Sequence, residues 1–131
     1  MLAAGVDIVS VDRIERAITR WGERFLRRVY LDSELSYCGT RAASLAARWA
    51  AKEAVSKALA CGFLDVTWRE IEIAHHETGQ PYVVLHGRAL ARARALGLTQ
   101  WALSLSHDGS VAVAFVVAMG AEAEAGLQSV G

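Results

Sequence analysis

The run AARWAAKEAVSKALA, residues 46–60, leaves the chain least freedom. It is rich in alanine, the strongest helix former, holds no Gly or Pro, and spaces its apolar residues as a helix does. The pattern predicts a helix capped near Thr40 and stopped at Gly62. At about 100° per residue, Ala47, Ala50, Ala51, Ala54, Val55 and Ala58 gather on one face, which anchors the helix to a sheet. Glu53 and Lys57 fall together at one border of that face. Arg48 and Lys52 line the other.

The sheet comes from the flanking segments. GVDIVSV (5–11) is β-branched and predicts a first strand. Asp12 follows as a helix cap with Glu15 three residues on, a capping-box arrangement. That helix runs to about Arg20, Gly22 interrupts it, and short helices are predicted over Glu23 to Val29 and over DSELSYC. EIEIAHHETGQPYVVLHG predicts a hairpin turning at Thr78-Gly79, with Pro81 opening its second strand. RALARARALG is a helix ended by Gly97. WALSLSHDGSVAVAFVVA is a second hairpin with Asp108-Gly109 at its tip. The order β-α-α-β-β-α-β-β implies an α+β fold, a mainly antiparallel sheet with helices packed on it. Residues 1–120 form one domain in this reading, and 121–131 are expected to fray.

No apolar run nears the roughly 20 residues that span a bilayer. The N-terminus lacks the basic start of a signal peptide. Cys38 and Cys61 form no spacing pattern, so free thiols and a cytoplasmic address are expected. Formal net charge is zero, yet residues 13–28 hold six arginines (Arg13, Arg16, Arg20, Arg24, Arg27, Arg28) against Glu15 and Glu23. Such a face is either solvated or meets an acidic partner. Nucleic acid fits poorly without an overall basic domain and interleaved aromatics.

Three places carry chemistry. Asp7 shares a strand face with Gly5 and Val9, opposite Val6 and Ile8. It either sits at a solvated edge or serves a metal or phosphate, with Gly5 leaving room for a ligand. Glu53 and Lys57 match the favourable i,i+4 surface pair, worth about 0.3–0.5 kcal/mol, and a site role stands beside that reading. In SLSHDGS, Ser104 and Ser106 share a face and His107 sits where the strand turns. Ser106, His107 and Asp108 are adjacent and cannot build a hydrolase relay. His75 and His76, with no cysteine near, are a weak zinc signal and read as exposed strand ends.

Taken in order, GVDIVSVDRIE, ARWAAKEAVSKAL, TGQPYVVL and LSLSHDGSVAVAFVVA resemble the holo-acyl-carrier-protein synthases, the small group of 4′-phosphopantetheinyl transferases. The resemblance spans residues 5–118. It implies transfer of phosphopantetheine from coenzyme A to a serine of apo acyl carrier protein, with release of adenosine 3′,5′-bisphosphate. Asp7, in the G-x-D motif, and Glu53, in the K-E-A motif, would then bind Mg²⁺ together with pyrophosphate oxygens. Lys57 would steady a phosphate as a point charge, and Asp7, Glu53 and Lys57 form the implied catalytic group. Arg48, Lys57, Gly62, Ser106 and His107 match coenzyme-contacting positions. The resemblance places the acidic carrier on Arg13, Arg16 and Arg20, with Arg24 and Arg28 as outer contacts. It also implies a homotrimer with interfacial active sites. The alternating Val111, Val113, Phe115 and Val117 would serve either that interface or an ordinary core.

Three departures stand out: ALACGFLD keeps only Gly62 of a glycine-rich run, leaving Ala60 and Leu64 at close-approach positions; Gln80 replaces a lysine; and Ala3 replaces a glycine. None touches the implied metal ligands. Two other readings remain beside the transferase: a non-catalytic module that binds CoA or an acidic protein, and a metal-dependent nucleotide hydrolase.

Overall fold

Small residues on both partners bring one helix down onto one sheet. The computed structural model describes residues 1–61 and 66–120. Strands β1 (Leu2–Ser10), β4 (Gln100–Asp108) and β5 (Val111–Met119) form an antiparallel sheet ordered β1-β5-β4. Helices α1 (Val11–Trp21), α2 (Glu23–Val29), α3 (Asp32–Cys38) and α4 (Ala42–Ala58) follow β1. A 3₁₀ turn, Trp68–Glu70, leads into the hairpin of β2 (Ile71–His75) and β3 (Pro81–Leu85), and α5 (Gly87–Ala95) precedes β4. The α+β class and the antiparallel pairing agree with the sequence reading.

Gly5 and Val9 of β1, and Ala112, Ala114, Val116 and Ala118 of β5, are buried on the inner face, against the alanine face of α4. At Gly5 the approach is so close that a β-carbon would collide with the carbonyl oxygen of Ala54. Gly5 therefore admits the helix backbone rather than a ligand, which corrects the expectation above. The outer face is different in kind. Leu2, Val6, Ile8 and Phe115 are exposed large hydrophobic residues there, so the Val111, Val113, Phe115 and Val117 row is not the core side of β5.

Local boundaries shift for identifiable reasons. β1 begins at Leu2 because its register with β5 extends to Met119. Ser10, not Asp12, caps α1, its hydroxyl accepting from Arg13 N at 3.1 Å. Gly22 stops α1 with a φ of 56°. Arg41 rather than Thr40 precedes α4, because Gly39 turns the chain out of α3 at a φ of 58° and Arg41 N returns to Cys38 O. The far end of α4 comes early: Ala60 takes a φ of 53°, the left-handed conformation usually left to glycine. Gly62, expected as that stop, and Leu64 lie outside the described residues, as does the 121–131 tail. In the last hairpin Asp108 still pairs with Val111, so the loop is Gly109-Ser110.

Candidate active site

Asp7 projects from the inner face of β1 against α4, its side chain 15% exposed. Lys57, one turn after Glu53 on α4, crosses to it: its Nζ donates to Asp7 Oδ1 at 3.1 Å and to Val6 O at 2.9 Å. The helical neighbours Glu53 and Lys57 thus do not form the expected surface pair, because Lys57 finds two acceptors on the strand. Asp7 Oδ2 is buried and has no hydrogen-bond partner. The Glu53 carboxyl is pushed above the ordinary glutamate range, first by burial and then by the charge of Asp7, against Lys57 and Arg13. Asp7 and Glu53 share the Lys57 ammonium, with Arg13 also acting on Glu53, yet Asp7 Oδ2 is left without any donor.

That shortfall fits a small hard cation. Mg²⁺ is commonly held by one or two carboxylates with substrate oxygens and water completing its shell. Among the described residues no group of three or more His, Cys, Asp or Glu side chains assembles; at this point two carboxylates meet, with the charge of Asp7 acting on Glu53.

Lys52 turns the other way. It is fully buried, with Nζ 2.9 Å from Glu34 Oε1, and donates to Trp68 O at 2.9 Å and Ile71 O at 2.6 Å. Burial lowers its pKa and Glu34 opposes the shift. Glu34 in turn accepts from Leu31 N and Ile73 N, each at 2.8 Å. Lys52 therefore braces α4 against α3 and β2 and touches no ligand space. Sequence reasoning missed Glu34; the available signal was a second charge, Lys52, placed among alanines without a local partner.

Arg48 and His107 come together elsewhere. With Val11, Glu15, Tyr37, Arg41, Ala42, Ala43, Ser44 and Gly109 they line a cleft of about 630 Å³. Asp7, Glu53 and Lys57 do not line it. The residues singled out from sequence thus fall into two groups within one chain. Ser106 joins neither: it pairs across from Val113 on the outer sheet face, where alternation puts it opposite His107. His75, expected to be an exposed strand end, is instead half-buried and stacked on Tyr37, with ring centroids 3.7 Å apart.

Arg13, Arg16, Arg20, Arg24 and Arg28 are all exposed, and among the described residues none is in an ion pair. Arg27 differs, tied to Glu23 at 3.2 Å and Asp32 at 2.8 Å. The Arg13 guanidinium lies 5.2 Å over the Trp49 ring and acts on Glu53, so the basic face reaches the carboxylate pair. Trp21, Arg24, Phe25 and Arg28 surround a hollow of about 250 Å³ on the same side.

A family model described as the 4′-phosphopantetheinyl transferase superfamily matches residues 3–116. A holo-[acyl-carrier-protein] synthase of Herpetosiphon aurantiacus is 51% identical over 127 residues, covering 92% of this chain and all of that protein. One from Halorhodospira halophila is 52% identical over 117 residues, covering 86% and 93%. The crystal structure of the Helicobacter pylori synthase in complex with coenzyme A superposes with a TM-score of 0.82 at 32% identity, covering 88% of this chain and 99% of that one. The Neisseria meningitidis synthase gives 0.80 at 36%, covering 89% and 97%.

Proposed function

Because the chain belongs to the 4′-phosphopantetheinyl transferase superfamily, we propose that it moves 4′-phosphopantetheine from coenzyme A to a serine hydroxyl of an apo acyl carrier protein, with Mg²⁺ as cofactor and adenosine 3′,5′-bisphosphate as the second product. The observation that carries the reading is the Asp7–Glu53–Lys57 cluster, where a buried carboxylate oxygen lacks a partner beside a glutamate whose proton is held unusually well.

In this reading Asp7 and Glu53 hold Mg²⁺, which when bound neutralises charge on the pyrophosphate. Lys57, half-exposed beyond its contact with Asp7, presents its ammonium to a pyrophosphate oxygen. The carrier serine oxygen attacks the phosphorus bearing pantetheine. The bond from that phosphorus to the bridging oxygen breaks, and the electron pair leaves on the adenosine bisphosphate. The serine proton passes through a water to Glu53 or Asp7. Arg13, Arg16 and Arg20, with Arg24 and Arg28 as outer contacts, meet the acidic carrier, and the charge of Arg13 reaches Glu53.

The Arg48–His107 cleft receives the phosphates of the coenzyme. It is separate from the carboxylates within one chain, and the outer sheet face of Leu2, Val6, Ile8 and Phe115 is apolar and uncovered. Both features support an assembly in which one subunit supplies the metal carboxylates and its neighbour the cleft, and the family resemblance makes that assembly a homotrimer. No described helix is long and apolar enough to cross a membrane.

Incubation with CoA, Mg²⁺ and an apo carrier protein tests the reading by the mass of the carrier. A gain of one phosphopantetheine supports transfer. CoA cleavage with an unmodified carrier selects a hydrolase, and no chemistry selects a binding module.

A further inference from the structure

Among the described residues no carboxylate pairs with the buried positive charge of Arg48, although the exposed Glu15 lines the same cleft. Arg48 is 7% exposed. Everything that holds it is uncharged. Nη1 donates to Ser44 Oγ at 3.1 Å and to Ser44 O at 3.3 Å, and Nη2 hydrogen-bonds His75 Nε2. The guanidinium carbon lies 4.9 Å from the centroid of the Tyr37 ring. Nε is buried with no partner.

Tyr37 also fixes the imidazole. The two rings stack at 3.7 Å with planes 8° apart, so α3 clamps a residue of β2 against an arginine of α4. Burial first, and then Arg48, push the His75 pKa below its ordinary value, which keeps the ring neutral and able to accept. The other charged group on Tyr37 is Arg41, 5.4 Å from the ring centroid. Being a second cation, it adds nothing that would neutralise Arg48.

A carboxylate in place of His75 would make a stronger, charge-assisted bond to Arg48. It would also cancel the charge that the cleft holds for an anion. We infer that His75 is a positioning residue: as a neutral acceptor it fixes the Arg48 guanidinium in the cleft while leaving its charge free for a phosphate of coenzyme A. The inference rests on the reading of Arg48 as a coenzyme contact.

The test compares His75→Glu, His75→Gln and His75→Ala with Arg48→Met, reading KM for CoA, kcat and the thermal midpoint at neutral pH. His75→Glu should raise KM for CoA about tenfold or more, while its thermal midpoint holds or rises and kcat moves less. His75→Gln keeps an uncharged acceptor and should stay within about threefold of the parent KM, with His75→Ala between the two. A purely structural histidine gives another pattern, with midpoints that fall and KM unchanged in His75→Glu. If Arg48→Met raises KM and His75→Glu does not, the role of His75 is overturned and the coenzyme contact stands. If neither raises it, the Arg48 contact itself fails and takes the inference with it.

Discussion

Lys57 makes its ion pair with Asp7, 3.1 Å away on the neighbouring strand, and reaches Glu53, one turn before it on its own helix, through its charge alone. The ammonium thus already holds one of the two Asp7 oxygens that a cation would draw on. Replacing Lys57 by Met should have two opposite effects. Mg²⁺ should bind more tightly, since Asp7 no longer has a competing partner, while kcat falls by about 10²–10³, as when one charge-stabilising donor is removed. Calorimetric Mg²⁺ titration beside a transfer assay checks both. Weaker metal binding in Lys57→Met would argue against Asp7 as a ligand.

Glu53 gives the site a pH signature. Its folded pKa is raised by burial and by Asp7, so the folded protein holds this proton more tightly than the unfolded chain. The corresponding stabilisation is fully present below the ordinary glutamate value and is lost as pH rises through the folded value. The metal-free protein should therefore gain stability on mild acidification through that range. Added Mg²⁺ should stabilise it only above the range, where Glu53 is ionised. Thermal melts across pH, with and without the metal, test this; Glu53→Gln should remove both the pH effect and the Mg²⁺ response, and its transfer at full rate would remove the metal-ligand assignment.

The Lys52–Glu34 pair is internal on both sides. Lys52→Met leaves Glu34 buried without its cation, at a cost of about 3–5 kcal/mol. Adding Glu34→Gln to it should return much of that loss, because the unpaired carboxyl group is gone. Chemical denaturation of the single and double variants measures the difference.

Carrier docking should depend on charges that are free to pair. Arg13→Glu with Arg20→Glu should raise KM for the carrier about tenfold or more and flatten its salt dependence, with a smaller effect on kcat. Arg27→Ala should do neither, because Arg27 is already bound to Glu23 and Asp32. Steady-state kinetics at two ionic strengths separates them. An unchanged carrier KM in the double reversal would put docking elsewhere.

If two chains build each site, inactive partners should rescue one another. Arg48→Met and Glu53→Gln, each impaired alone, should regain activity when unfolded together and reassembled, since some seams then receive both intact halves. Ile8→Asp on the exposed sheet face should dissociate the assembly, as light scattering would show, and abolish transfer. Absence of rescue in confirmed mixed oligomers would mean that one chain completes its own site.

Much of this was legible in the sequence, wherever one segment decides the outcome. The helices Glu23–Val29 and Asp32–Cys38 and the stop at Gly22 follow from local propensity and turn chemistry. That Asp7 shares a face with Gly5 and Val9 follows from strand alternation. What escaped depended on another element's proximity. Lys57 prefers the strand to its helical neighbour, Lys52 finds Glu34 on another helix, and His75 finds Tyr37. Ala60 in a glycine conformation is a backbone choice that alanine's propensity argues against.

The meeting of Gly5 and Ala54 sets a dimension of the site. Gly5 lies two residues from Asp7 and Ala54 lies next to Glu53, and the contact between them is main chain on main chain. The gauge between the two carboxylates is thus fixed by atoms that every residue carries, not by side chains that mutation trims or enlarges. Substitutions elsewhere in the core can accumulate over evolutionary time without retuning that spacing, provided position 5 stays bare. A single methyl group there would move the helix off the strand and widen the gauge.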